Sequence, residues 1–209
     1  MIKRVLVLAP HTDDGEFGCG GAISKFRAKG TDVFYVAFST AEKSVPEGFP
    51  KDILKKEVTM ATSKLGIPPM NLLLYDFTVR ELPAYRQHIL EIMVELKKDL
   101  KPDLVFLPSM GDLHQDHQTV AMEGVRAFRN STLLGYEEPW NNLAFSTSCF
   151  IALDEVNIKD KLAALACYDS QAWRPYANEE FIRSLSITRG TQIGVPYAEA
   201  FETIRLFID

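Results

Sequence analysis

The chain has 209 residues, a net charge of −5, 46% hydrophobic residues and 24% charged residues. These are the values of an ordinary soluble globular protein, long enough to bury roughly 70% of its unfolded surface without disulfides. The acidic balance supplies no basic stripe, which argues against nucleic acid and anionic membrane as main partners.

Residues 2–8, IKRVLVL, form the first apolar run and predict a strand. The run stops at Pro10 and in charges, too short for a signal-peptide core. No stretch approaches the roughly 20 apolar residues that span a bilayer, so no membrane insertion is expected. Residues 19–29 predict a helix closed by Gly30. A strand follows at 33–38, then a helix at 51–65 stopped by Gly66 and Pro68–Pro69. A strand at 71–75 precedes a helix at 84–99, which places Tyr85, Ile89, Ile92, Met93 and Leu96 on one face and Lys97 and Lys98 in its last turn. The strand at 103–107 leads to a helix at 117–128. Continuous apolar runs of this kind suit parallel strands covered on both faces. The alternation predicts an α/β fold, a doubly wound, Rossmann-like, mostly parallel sheet with helices on both faces. Strands at 132–137 and 146–153, a helix at 155–168 and a C-terminal strand read as a small C-terminal α+β extension of one domain over 1–209. Cys19, Cys149 and Cys167 form no CxxC pair, so a reducing, cytoplasmic setting is expected.

In an open parallel sheet ligands bind beyond the carboxyl ends of the strands. PHTDDGE (10–16) follows the first strand and PSMGDLHQDH (108–117) the fourth. Of the four histidines, His11, His114 and His117 lie in these two loops, while His88 falls within the helix at 84–99. Imidazole and carboxylate are zinc ligands, and a catalytic site keeps three protein ligands and an open position. A further carboxylate beside the metal can take a proton from water whose pKa the metal lowers to roughly 7. A plainer reading makes Asp13–Asp14 an N-cap pair and HQDH the polar start of a helix. The joint placement of three histidines and several acids at two strand ends favours the metal site.

A dinucleotide fingerprint fits less well. Counted from Gly18, the third glycine falls on Ile23, and Asp13, Asp14 and Glu16 would repel phosphate. Asp76 and Arg80 follow the third strand on the same rim and are candidate sugar contacts. Asp112 is a candidate substrate contact or a turn residue. Trp140 is read as core, with stacking on a sugar ring as the alternative.

APHTDDGEFGCGG and LHQDH resemble the two signatures, His-x-Asp-Asp and His-x-Asp-His, of the LmbE-like, or PIG-L, family of zinc-dependent N-acetylglucosamine deacetylases. EVTMATSKLGI, FTVREL, GYEEPW, YDSQ and RGTQIGVPYAEAFE extend the resemblance over nearly the whole chain. The resemblance implies zinc ligation by His11, Asp14 and His117. It makes Asp13 the general base, His114 the stabiliser of the oxyanion, and Asp116 the acid that orients a neighbouring imidazole. It departs at Thr12 and Gly15, where many members carry Pro and Glu, and at Leu54, where many carry Arg. The expected activity is removal of an N-acetyl group from an amino sugar or its conjugate, with zinc, or alternatively iron(II), as cofactor and a homo-oligomer as the assembly. The alternatives are a metalloamidase of the same fold for another N-acyl amine, and a non-catalytic sugar- or nucleotide-binding module.

Overall fold

The computed structural model describes residues 2–208. Seven strands form one sheet: β1 (Arg4–Ala9), β2 (Asp32–Ala37), β3 (Leu72–Leu74), β4 (Leu104–Pro108), β5 (Thr132–Tyr136), β6 (Cys149–Leu153) and β7 (Tyr197–Arg205). Their order is β3-β2-β1-β4-β5-β7-β6. The first five run parallel, with Ala9 opposite Ala37, Val7 opposite Phe106 and Pro108 opposite Tyr136. Their carboxyl ends therefore meet on one rim. The chain turns outward in both directions from β1 and β4, so the crevice of the fold opens between these two strands.

Six helices cover the sheet: α1 (Asp14–Ala28), α2 (Ile53–Lys64), α3 (Arg86–Leu100), α4 (Gln115–Ala127), α5 (Glu155–Leu165) and α6 (Glu179–Thr191). Side-chain alternation along β1 divides the core. Val5, Val7 and Ala9 pack with Cys19, Ile23, Val58 and Ala164 of α1, α2 and α5. Leu6 and Leu8 pack with Ile89, Met93, Val120 and Ala121 of α3 and α4. Among the described residues no helix is long and apolar enough to cross a membrane.

The structure bears out one sequence-based expectation and corrects another. The C-terminal α+β extension continues the same sheet: β7 pairs antiparallel with β5 and carries β6. Helix α1 begins five residues before the expected 19, so its glycines are interior. They let the helix lie close to the sheet: a Cβ on Gly18 would stand 2.3 Å from the Tyr136 ring, and one on Gly21 2.4 Å from Leu153.

Helix α1 is also kinked, with Cys19 at φ −145° and ψ 22°. A kink frees backbone groups, which must find other partners when buried. The Lys161 ammonium donates to the Phe17 carbonyl at 2.6 Å and to Glu199 at 2.7 Å. The Glu199 carboxylate accepts the Gly21 and Ala22 N–H groups at 2.9 and 2.7 Å. A buried ion pair thus caps both sides of the break, the anion on the new helix N-terminus, where it suits the dipole.

Candidate active site

His11 and Asp14 leave β1 through Pro10, and His114 and His117 leave β4 through Ser109. The His11 backbone N–H donates to Asp14 Oδ2 at 2.7 Å, folding the first loop on itself. His11 Nδ1 lies 3.2 Å from Asp14 Oδ2, His117 Nε2 lies 3.4 Å from the same oxygen, and the two nitrogens stand 3.3 Å apart. Donors on a tetrahedral zinc with bonds of roughly 2.0–2.1 Å stand roughly 3.3–3.4 Å apart, so this triangle has the size the metal needs.

The outward atom of each imidazole fixes its tautomer. His11 Nε2 meets Asp116 Oδ2 at 2.9 Å, and His117 Nδ1 meets Asp112 Oδ2 at 2.9 Å. A proton on each of these nitrogens leaves His11 Nδ1 and His117 Nε2 as lone pairs facing Asp14, the arrangement of carboxylate–histidine–metal sites. The field favours positive charge. Burial opposes protonation of His11, yet Asp14 and Asp116 push its pKa up to about 10. Burial likewise opposes ionisation of Asp14, but His117 and His11 outweigh it and hold the carboxyl well below the usual range. The three residues together fit a divalent cation.

Asp13 occupies the N-cap position of α1, yet its side chain makes no capping hydrogen bond. The carboxylate instead lines the cavity. Burial and the neighbouring Asp14 charge raise its pKa, opposed by Arg174 and His11. His114 is the N-cap of α4, and its Nδ1 accepts the Asp116 N–H at 3.1 Å. That bond requires a bare Nδ1, so the neutral ring carries its proton on Nε2. Burial, with the His117 and His11 charges, lowers its pKa to about 4. Asp116 also accepts the N–H groups of Arg80 and Leu82 at 2.6 and 3.1 Å, tying the loop after β3 to the imidazole of His11.

The cavity above these groups measures about 210 Å³. Its wall includes Arg80, Glu138, Trp140, Gln171, Arg174 and Tyr176. A larger depression of about 480 Å³, lined by residues such as Lys97, Lys101, Asp103 and Ser131, lies away from these side chains and holds none of them. Trp140 is half-buried and stacks on Tyr176 at 3.7 Å, with Phe17 edge-on at 5.3 Å, so it is both small core and cavity wall. Arg174 is braced by Gln171 Oε1 at 2.7 Å and by the Tyr176 hydroxyl.

Two expected substrate contacts lie elsewhere. Asp76 is exposed and borders a separate depression of about 170 Å³ with Thr40, Lys43 and Thr78. Asp112 is buried behind His117, where it also accepts the His114 N–H at 2.8 Å. Arg80 does reach the cavity. Glu138 and Arg174 escaped the sequence reading. Strand alternation carried a signal for Glu138, since it shares a face with Tyr136 whereas Glu137 points to Arg189. Arg174 carried none.

The profile of the PIG-L family, GlcNAc-PI de-N-acetylase, matches residues 6–128, which is more than half the chain and includes both loops. The chain belongs to this family. A diacetylchitobiose deacetylase of Thermococcus kodakarensis is 25% identical to this PIG-L chain over 97% of the chain and 84% of the relative. A Bacillus subtilis protein described as a "probable N-acetyl-alpha-D-glucosaminyl L-malate deacetylase 2" is 30% identical over 61% of each. Among solved structures, the conserved protein TT1542 of Thermus thermophilus superposes with a TM-score of 0.81 at 28% identity, covering 100% of this chain and 98% of the other. The Thermococcus relative is described as a deacetylase and the Bacillus one as a probable deacetylase, and deacetylases are hydrolases.

Proposed function

We propose that the protein is a metal-dependent hydrolase that removes the acetyl group from an N-acetyl amino sugar or a conjugate of one. The observation that carries this reading is the His11–Asp14–His117 triangle opening on the same cavity as a buried carboxylate, Asp13, and a neutral imidazole N–H, His114. Diacetylchitobiose and the glucosaminyl malate named for the relatives are both acetamido sugars, which supports the substrate class. His11, Asp14 and His117 would hold zinc, and a two-histidine, one-carboxylate set also suits iron(II). When bound, such a cation acidifies water and polarises a carbonyl.

Asp13 removes a proton from the attacking water and returns it to nitrogen as the C–N bond breaks. Its raised pKa suits both directions of that transfer. His114 donates its Nε2–H to the carbonyl oxygen as negative charge builds there, and its low pKa keeps it a neutral donor rather than a competing cation. Asp116 and Asp112 hold the rings of His11 and His117. Arg80 contacts the sugar or its substituent from the rim. The products are acetate and the free amine. Asp13's freedom from capping supports this over a binding module, since a buried acid with no structural bond is otherwise a cost. The test is metal analysis of the purified protein followed by an acetate-release screen over N-acetylhexosamine conjugates. Release from at least one is expected. A metal-loaded protein that releases acetate from none would move the reading to another N-acyl amine.

A further inference from the structure

Glu138 is the acid the reaction above leaves unused. It is 1% exposed, lies just after β5 and lines the cavity. One oxygen, Oε2, accepts the Asn141 side-chain amide at 3.1 Å and lies 3.7 Å from His117 Nδ1. The other, Oε1, is buried and has no hydrogen-bond partner. An unmet buried acceptor is costly, and more so when charged. Asp13, Asp14 and Asp112 lie close enough to repel the same carboxylate. A methionine or leucine would be cheaper here unless something positive faces Oε1.

The position is also firmly held. The Glu138 N–H donates to Asn142 Oδ1 at 3.0 Å, and Asn142 Nδ2 donates to Ser109 Oγ at 2.8 Å. The Leu113 N–H donates to the Asn141 carbonyl at 3.1 Å, and Asp112 pairs with Asn142 as an isolated bridge. The loop bearing Glu138 is therefore latched to the loop bearing His114 and His117. A carboxylate oxygen of Glu138, one of Asp14 and a ring nitrogen of His117 all lie within 4.8 Å of one another. Neither arginine of the cavity wall, Arg80 or Arg174, bonds to Glu138, and Arg174 is engaged by Gln171 and Tyr176.

We propose that Glu138 is a fourth member of the metal centre and its second acid, its Oε1 facing the cation directly or through a water in the cation's shell. The inference rests on the metal reading of His11, Asp14 and His117. It assigns the loop after β5 a part in holding the metal, beside the two loops that carry the ligands. Glu138 also adds a further negative charge to a three-ligand site, which tightens the hold on a divalent ion.

The test compares wild type, Glu138→Gln, Glu138→Asp and His117→Ala. Zinc affinity is measured by competition with a chromophoric chelator, coordination by the visible spectrum of the cobalt(II)-loaded protein, and melting temperature with and without zinc. Glu138→Gln should weaken zinc about tenfold or more and change the cobalt bands. Without metal it should melt no earlier than wild type, because the amide fills the same space and brings no charge into it, and zinc should raise its melting temperature less. Glu138→Asp should fall between the two. His117→Ala should lose tight zinc binding. If His117→Ala binds zinc like wild type, the metal reading fails and this proposal with it. If His117→Ala loses zinc while Glu138→Gln keeps wild-type affinity and cobalt spectrum, the metal centre stands and the role of Glu138 is overturned. A raised KM alone in that variant would then assign Oε1 to a donor on the substrate. Early melting of both Glu138 variants without metal would make it a structural acid and also overturn the proposal.

Discussion

Replacing Lys161 with methionine should lower the melting temperature by about 8–16 °C. Methionine keeps the unbranched shape and most of the length of the side chain and removes its charge. The Lys161 and Glu199 side chains are only 4% and 6% exposed, so water cannot take over from the lost partner. Glu199 keeps two backbone N–H donors but loses its cation, and the Phe17 carbonyl at the α1 kink loses its donor. Stripping one partner from a buried pair costs about 3–5 kcal/mol. A central loss of about 4 kcal/mol, at about 2–4 °C per kcal/mol for a chain of this size, gives the stated range. Thermal melts followed by circular dichroism, with urea titrations for the free energy, measure it. The double variant Lys161→Met, Glu199→Gln should recover part of the loss, because no lone charge remains buried. A Lys161→Met variant that loses less than about 1 kcal/mol, or a double variant whose loss is the sum of the singles, would refute the claim that the pair caps the kink.

Asp13→Asn should keep its zinc and lose turnover by at least about a hundredfold; near-normal acetate release would remove Asp13 from the role of base. Asp112→Asn should weaken zinc about 10- to 100-fold by freeing the His117 ring, measured by chelator competition. Gly18→Ala should destabilise by about 1–3 kcal/mol, because the Tyr136 ring it strikes is anchored through its hydroxyl to the Leu8 carbonyl; a urea titration reads the loss. Glu16 carries a pH signature. Burial pushes its pKa up to about 8, against the hydrogen bonds of Tyr35 and Tyr168, so the metal-free fold holds a proton that the unfolded chain releases above about 4.5. Wild-type stability should therefore fall as pH rises through that window, and Glu16→Gln should lose less between about pH 5 and pH 8 in parallel melts.

The sequence showed the catalytic rim more clearly than the helices beneath it. β1 and β4 are buried on both faces and read as unbroken apolar runs, and the polar residues that end them stand out by contrast. Helix α6 left no comparable trace. Its buried face consists of Ile182, Ser186 and Gly190, and Gly190 is there because a Cβ would meet the Val195 carbonyl at 2.5 Å. Two of those three residues are not apolar, so the helical period is silent. The early start of α1 was hidden for a related reason: its first turns carry glycines that local propensity reads as loop, while close contact with Tyr136 and Leu153 favours them in the helix. Glu138 and Arg174 belong to segments whose place depends on hydrogen bonds to distant loops, and spacing along the chain does not record those.

The capped kink in α1 also bears on the order in which the molecule can be made. A ribosome releases His11, Asp13 and Asp14 well before Glu199. Until β7 is in place, the Gly21 and Ala22 N–H groups lack the acceptor that fixes the second half of α1. Until α5 is in place, the Phe17 carbonyl lacks its donor. A nascent chain that has produced every proposed metal ligand still lacks the partners that finish the helix below Asp13 and Asp14. The helix beneath the site is thus completed by a strand made after all of the proposed ligands, and a chain halted before residue 197 would carry those residues without the contacts that finish α1.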